Sequence, residues 1–163
     1  MVTLASVSAL QIGPDDPQAD DVRALLATHL SFARGQTPPE NAHALELTGL
    51  LAPEITFVSA RRDGELLAVG ALRELSPEHG EIKSMHTRQA ARGQGVGGAL
   101  LRYLIELARE RSYRQVSLET GSHPVFAPAR ALYTRAGFVA CGPFGDYRES
   151  TYNTFMTLSL EPV

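Results

Sequence analysis

The segment from Arg92 to Gly98 reads Arg-Gly-Gln-Gly-Val-Gly-Gly. It follows a strand-like run, Glu81 to His86, and precedes a run whose apolar residues Val96, Leu100, Leu101, Leu104, Ile105 and Ala108 recur at helical spacing. Gly93, Gly95, Gly97 and Gly98 therefore belong to a turn that opens a helix. The first amides of a helix lack internal partners, and the macrodipole makes that end positive. Glycines adopt positive φ and let the backbone approach a ligand closely. Arg92 adds a fixed cation. Such a turn can cradle a phosphate or pyrophosphate. A P-loop is excluded, because Gly-Lys-Ser/Thr after four intervening residues is missing. A dinucleotide-binding turn is a second alternative, because the order Gly-x-Gly-x-Gly-Gly contains Gly-x-Gly-x-x-Gly at Gly93, Gly95 and Gly98, and Glu119 follows at a distance suited to a ribose contact. A tight helix start without any ligand is the third alternative.

The flanking sequence supplies the elements that must position this turn. Val2 to Leu10 alternates weakly and reads as a first strand. Asp15 to Asp21, with Pro17, leads into a helix whose apolar face is Val22, Leu25, Leu26, Leu30 and Phe32, ending near Gly35. Thr37-Pro38-Pro39-Glu40 starts a short second helix with Ala42, Leu45 and Leu50 on its apolar side. Ile55 to Ala60 and Leu66 to Leu75 are strand-like and joined at Arg62-Asp63-Gly64, a strong hairpin signal. Ser76 to Gly80 turns the chain into the strand at Glu81. Beyond the long helix, a loop at Ser112 to Arg114 leads to a short strand, Gln115 to Thr120. That strand is parallel to the one at Glu81, because a helix joins them. Phe126 to Ala136 is a helix closed by Gly137. Phe138 to Gly142 and Thr151 to Leu160 are two last strands around Pro143-Phe144-Gly145-Asp146. The antiparallel meander ahead of the glycine turn argues against a doubly wound dinucleotide fold.

The chain has 163 residues and a net charge of −3. That length suits one domain, residues 1–163, with a substantial core. The negative balance argues against a nucleic-acid partner held by phosphate contacts. Lys83 is the only lysine and Cys141 the only cysteine, so no intrachain disulfide forms and a reducing cytoplasm is expected. No basic start followed by an apolar run is present, and no apolar stretch approaches the ~20 residues of a membrane span. No membrane association is expected.

Two motifs together resemble the GCN5-related N-acetyltransferase (GNAT) superfamily. Arg92-Gly93-Gln94-Gly95-Val96-Gly97 is similar to its Arg/Gln-x-x-Gly-x-Gly/Ala motif. Ala129-Arg130-Ala131-Leu132-Tyr133-Thr134-Arg135-Ala136-Gly137-Phe138 resembles its second hallmark, Ala-x-x-Leu-Tyr-x-x-x-Gly-Phe. The likeness covers roughly residues 54 to 160. It implies an α+β fold with a mixed sheet of about seven strands and about four helices, the fourth and fifth strands parallel and splayed. It also implies acetyl transfer from acetyl-CoA to a primary amine by direct attack, without a metal. An acyl-CoA-binding regulatory module that has lost turnover is the alternative.

The same resemblance places the cofactor. Met85, His86 and Thr87 lie along its pantetheine arm, and the amides of Arg92, Gly93, Gln94, Gly95, Val96, Gly97 and Gly98 hold its pyrophosphate. Phe126 and Ala129 lie beside it, although many members carry Asn where Phe126 stands. Tyr133 is the candidate donor to the leaving thiolate. A protonated amine must lose a proton before attack, and Glu81 and Glu119 are the candidate bases. His86, acting through a water, is another. Glu40, His43, Asp146 and Tyr147 are candidates to line the acceptor site. A small-molecule, peptide or protein amine is the expected acceptor, and a homodimer the expected assembly, since GNAT domains often pair.

Overall fold

The computed structural model describes residues 9–35 and 47–160. Its strands are β1 (Gln11–Pro14), β2 (Ile55–Arg62), β3 (Glu65–Ser76), β4 (His79–Thr87), β5 (Gln115–Gly121), β6 (Val139–Cys141) and β7 (Asn153–Ser159). They form one seven-stranded sheet in the order β1-β2-β3-β4-β5-β7-β6. All neighbours are antiparallel except β4 and β5, which are parallel. The described helices are α1 (Asp20–Gly35), α2 (Leu47–Leu50), α3 (Val96–Glu110) and α4 (Ala127–Arg135). This is the expected mixed architecture. Among the described residues no helix is long and apolar enough to cross a membrane.

Alternation along the strands divides the core between two faces. On one face Val22, Leu25 and Leu26 of α1 and Leu50 of α2 pack on Phe57, Leu66, Val69 and Ala71. On the other, Val96, Leu100, Leu101, Leu104 and Ala108 of α3 pack on Val58, Ala68, Leu72 and Ile82. Asp20 and Asp21 lie in the first turn of α1, where negative charge complements the macrodipole. The β2–β3 hairpin turns through Asp63 (φ 52°) and Gly64 (φ 80°), the left-handed pair that a two-residue hairpin of this twist requires.

Several boundaries differ from those the sequence implies. The first strand runs over Gln11–Pro14 rather than Val2 to Leu10; residues 1–8 lie outside the described residues. Among the described residues β1 pairs only with β2, and an edge strand tolerates Pro14. The expected start of the second helix falls among residues 36–46, outside the described residues, and α2 is described only over Leu47–Leu50. A 3-10 turn, Pro124–Phe126, precedes α4. β6 has three residues, and a loop rather than a tight turn returns the chain to β7.

Two features of β4 create the site. Its register against β3 steps from Val69↔His86 to Ala71↔Lys83, so β4 carries one residue more than its partner. The extra residue is a bulge with Ser84 at φ 57°. It returns His86 to the α1 side, which Glu81 and Lys83 also face, and puts Met85 on the α3 side. There the Met85 sulfur fills the space beside Gly70, where a Cβ would meet it at 2.7 Å. In addition, the parallel pairing with β5 runs from His79↔Gln115 to Ile82↔Leu118 and stops. Both strands continue to Thr87 and Gly121, so they splay apart and leave an open gap.

Candidate active site

A cavity of about 450 Å³ occupies this gap. It is walled by β4, the glycine turn, the end of β5, and residues of α1 and α4. Every residue expected beside the cofactor lines it except Gln94. The Gln94 side chain instead turns outward, donating to the Ala90 carbonyl at 3.4 Å and accepting from Arg62 Nη1 at 3.4 Å.

The glycine turn has the predicted character. Gly93 and Gly95 have φ 78° and 79°, conformations that few other residues adopt readily. Gly95 is the N-cap of α3 and no side chain caps that helix. The first intrahelical bond at this end is from the Ala99 amide to the Gly95 carbonyl, at 3.1 Å. The amides of Val96, Gly97 and Gly98 thus remain available to a ligand. Among the described residues nothing lies within 4 Å of a Cβ built on Gly93 or Gly95, and the space over these amides is open. A diphosphate fits this cradle, with the exposed Arg92 at its rim.

On the α1 side of the gap lies a compact polar cluster. Glu81 and Lys83 are buried, with side chains 1% and 7% exposed, and their charged atoms are 3.1 Å apart. Tyr147, from the loop before β7, donates its hydroxyl to Glu81 Oε2 at 2.5 Å and accepts from Lys83 Nζ at 2.6 Å. Both donors converge on Oε2. Oε1 of Glu81 is buried with no hydrogen-bond partner among the described residues. Burial and the nearby Glu81 charge hold the Tyr147 phenol well above its usual range. On β5, Glu119 accepts from Asn153 Nδ2 at 2.6 Å. Burial raises its pKa, the Asn153 bond and the Lys83 charge opposing.

Tyr133 approaches from α4, and local sequence positions it. The Phe138 amide donates to the Tyr133 carbonyl at 3.1 Å and the Gly137 amide to the Thr134 carbonyl at 3.0 Å. Gly137 has φ 103°. This is a Schellman cap, completed by edge contact of the Tyr133 and Phe138 rings, centroids 5.9 Å apart. The residues Leu-Tyr-x-x-x-Gly-Phe are thus a helix stop that also fixes the Tyr133 ring. Burial, and then the Glu119 charge, raise its phenol pKa strongly.

The Acetyltransferase (GNAT) family is matched over residues 20–138. The chain belongs to the GNAT family. The uncharacterized N-acetyltransferase YsnE of Bacillus subtilis (strain 168) is 46% identical over 151 residues, 93% of this chain and 100% of that protein. The uncharacterized N-acetyltransferase YedL of Escherichia coli (strain K12) is 39% identical over 149 residues, 91% and 94% of the two chains. A GNAT family acetyltransferase from Elizabethkingia anophelis, solved with acetyl-CoA bound, has the same fold: TM-score 0.70 at 20% identity, over 93% of this chain and 98% of that one. This GNAT chain is therefore an acetyltransferase.

Within the GNAT frame, the expected residues divide. Glu81, Glu119, Tyr133, Met85, His86 and Thr87 share the cavity. Tyr147 reaches the cluster through its hydroxyl, whereas Asp146 is exposed and does not line the cavity. Glu40 and His43 lie outside the described residues. Sequence reasoning missed Lys83 as a site residue and missed His29 and Phe32 of α1. The His29 and His86 Nδ1 atoms are 3.2 Å apart, and Phe32 meets the rings of His86 and Phe126. Burial lowers both histidines to about 4, helped at His29 by His86 and at His86 by Arg92. They are neutral near pH 7 and unsuited to holding a proton there. Phe126, where many GNAT members carry Asn, folds over Gly121, at which a Cβ would meet its ring at 2.2 Å.

Proposed function

We propose that the chain is an acetyl-CoA-dependent N-acetyltransferase that acylates a primary amine by direct attack on the thioester. The observation that carries this reading is the β4–β5 gap, with an open glycine cradle at one end and, on the other side, a buried carboxylate oxygen without a partner among the described residues. Bound acetyl-CoA supplies an activated acyl carbon and a sulfur leaving group. The amides of Gly93 to Gly98 and the Arg92 guanidinium hold its diphosphate. The unpaired backbone edge of Met85, His86 and Thr87 orients its pantetheine arm, and Phe126 and Ala129 wall it in. Glu81 Oε1 accepts an N–H of the incoming amine, aligning it and taking its proton. Glu119, whose proton affinity burial raises, is the onward acceptor of that proton in its carboxylate form. Tyr133 donates a hydrogen bond toward the sulfur as charge develops there. Holding both substrates in line contributes several kcal/mol of roughly 7–11 available to positioning.

Calorimetric titration with acetyl-CoA, followed by mass detection of acetylated products across an amine panel, tests the proposal. Binding together with product supports it. Binding without turnover on any amine points to a regulatory acyl-CoA-binding module, and absence of binding removes the reading altogether.

A further inference from the structure

Resting on that reading, we infer that Lys83 selects the acceptor, and that the acceptor is a free amino acid whose amine meets Glu81 Oε1 and whose carboxylate meets Lys83 Nζ. An ammonium group has three donors. Lys83 spends one on Glu81 Oε2 and one on the Tyr147 hydroxyl. The third remains, on a buried side chain that lines the cavity. Glu81 presents the complementary atom, an oxygen with no partner among the described residues. The floor of the site thus offers one donor and one acceptor side by side, joined through a 3.1 Å ion pair.

An α-amino acid carries the mirror arrangement. Its amine and its carboxylate are separated only by the Cα–C bond, so both reach this floor at once. Each buried charge then gains a partner, which a buried ion pair with open valences requires. A decarboxylated amine leaves the third Lys83 donor unmet. A diamine is disfavoured, because its second cation meets Lys83, and of the described carboxylates lining the cavity only Glu119, already bonded to Asn153, remains to receive it. The rings of Phe32 and Phe126 line the same cavity and suit an apolar side chain over a charged one.

The test compares one body with different head groups: L-phenylalanine, L-phenylalaninamide and phenethylamine, with 1,6-diaminohexane as the dication. Acetyl-CoA binding is measured in parallel by calorimetry on the full chain. A charge-assisted hydrogen bond supports an expected kcat/KM preference of roughly 10- to 100-fold for the free amino acid over its amide and the amine. Lys83→Met should remove that preference chiefly through KM, and Lys83→Arg should keep most of it, with thermal melts confirming that both fold. Equal or better turnover of the amide, phenethylamine or the diamine overturns the inference, as does a preference that survives Lys83→Met. Acetyl-CoA binding with no transfer to the amino acid also overturns it, and leaves the acyl-donor half of the proposed function standing.

Discussion

Replacing Tyr133 with Phe isolates what the phenol contributes. In water a phenol near ~10 and a thiol near ~8.5 make full proton transfer to the departing sulfur uphill by about 2 kcal/mol. Burial and the Glu119 charge push the Tyr133 phenol higher still, so the mismatch grows in the site. On the proposed reading Tyr133 therefore keeps its proton and acts by hydrogen bonding. A hydrogen bond to a charged acceptor contributes about 1.5–3 kcal/mol, which corresponds to roughly 10- to 100-fold in rate. That lies at or below the low end of the ~10²–10⁴-fold typical of general acids. Because the sulfur becomes anionic only as the reaction proceeds, the loss falls on kcat, and the Kd for acetyl-CoA stays unchanged. The ring and its 5.9 Å contact with Phe138 are retained, so the melting temperature should hardly move. Steady-state kinetics with any competent acceptor, beside calorimetry and a thermal melt, give the answer. Wild-type kcat in a folded Phe variant would refute the reasoning. So would a loss confined to acetyl-CoA affinity, which would make Tyr133 a packing residue of the donor site.

Gly95→Asp should fold, because Asp tolerates the left-handed region and the space there is open, yet it sets a carboxylate in the anion cradle. Calorimetry should show at least a ~10-fold weaker Kd for acetyl-CoA, a loss of about 1.4 kcal/mol; unchanged affinity would place the diphosphate elsewhere. His29 and His86 are lowered to about 4 from 6.5, so the stability they contribute is complete above pH 6.5 and lost as pH falls toward 4. At pH 5 the pair accounts for about 2–4 kcal/mol of lost stability, with His79 shifted in the same direction; urea melts of wild type and His29→Phe from pH 7 to pH 5 should show a shallower decline in the variant. Ser112 holds φ 63° at the end of α3, where the Tyr113 amide bonds the Ala108 carbonyl at 3.1 Å in a second Schellman cap; Ser112→Gly should stabilise by about 0.5–1 kcal/mol in a denaturant melt. β6 is an edge strand with Val139 62% exposed, a surface suited to self-pairing; light scattering at micromolar concentration should give a dimer mass, and a monomer mass would exclude it.

The parts of this molecule that the sequence reveals are those built by contiguous residues. The α3 periodicity, the Asp63-Gly64 turn and the glycine cradle each state their geometry within one short window. The Tyr133 placement does too, since a Schellman cap is completed within six residues. The bulge at Ser84 is different. A serine at φ 57° violates local preference; the β3–β4 register on both sides of it, Met85 beside Gly70 on one face and His86 beside His29 on the other accompany it. β1 hid for a related reason: Gln11, Gly13 and Pro14 are poor strand formers, and pairing with β2 overrides them.

This difference separates the two halves of the proposed site. The donor half is backbone: amides of the glycine turn and the free edge of β4, all between Met85 and Gly98. Backbone chemistry needs a conformation and few particular side chains, so it leaves a motif. The acceptor half is side chain, and it is gathered from four places. His29 meets His86 across 57 positions, Asn153 meets Glu119 across 34, and Tyr147 meets Glu81 across 66. No local pattern encodes such meetings. Glu81 and Lys83, two apart on one strand, look like a solvated pair until the fold buries them and the Tyr147 hydroxyl closes over one carboxylate oxygen. What distinguishes the site is the oxygen left over, and that is a property of the assembled cluster alone. On the proposed reading, a change in the loop before β7 or in α1 alters the acceptor side without touching the glycine turn proposed to hold the diphosphate.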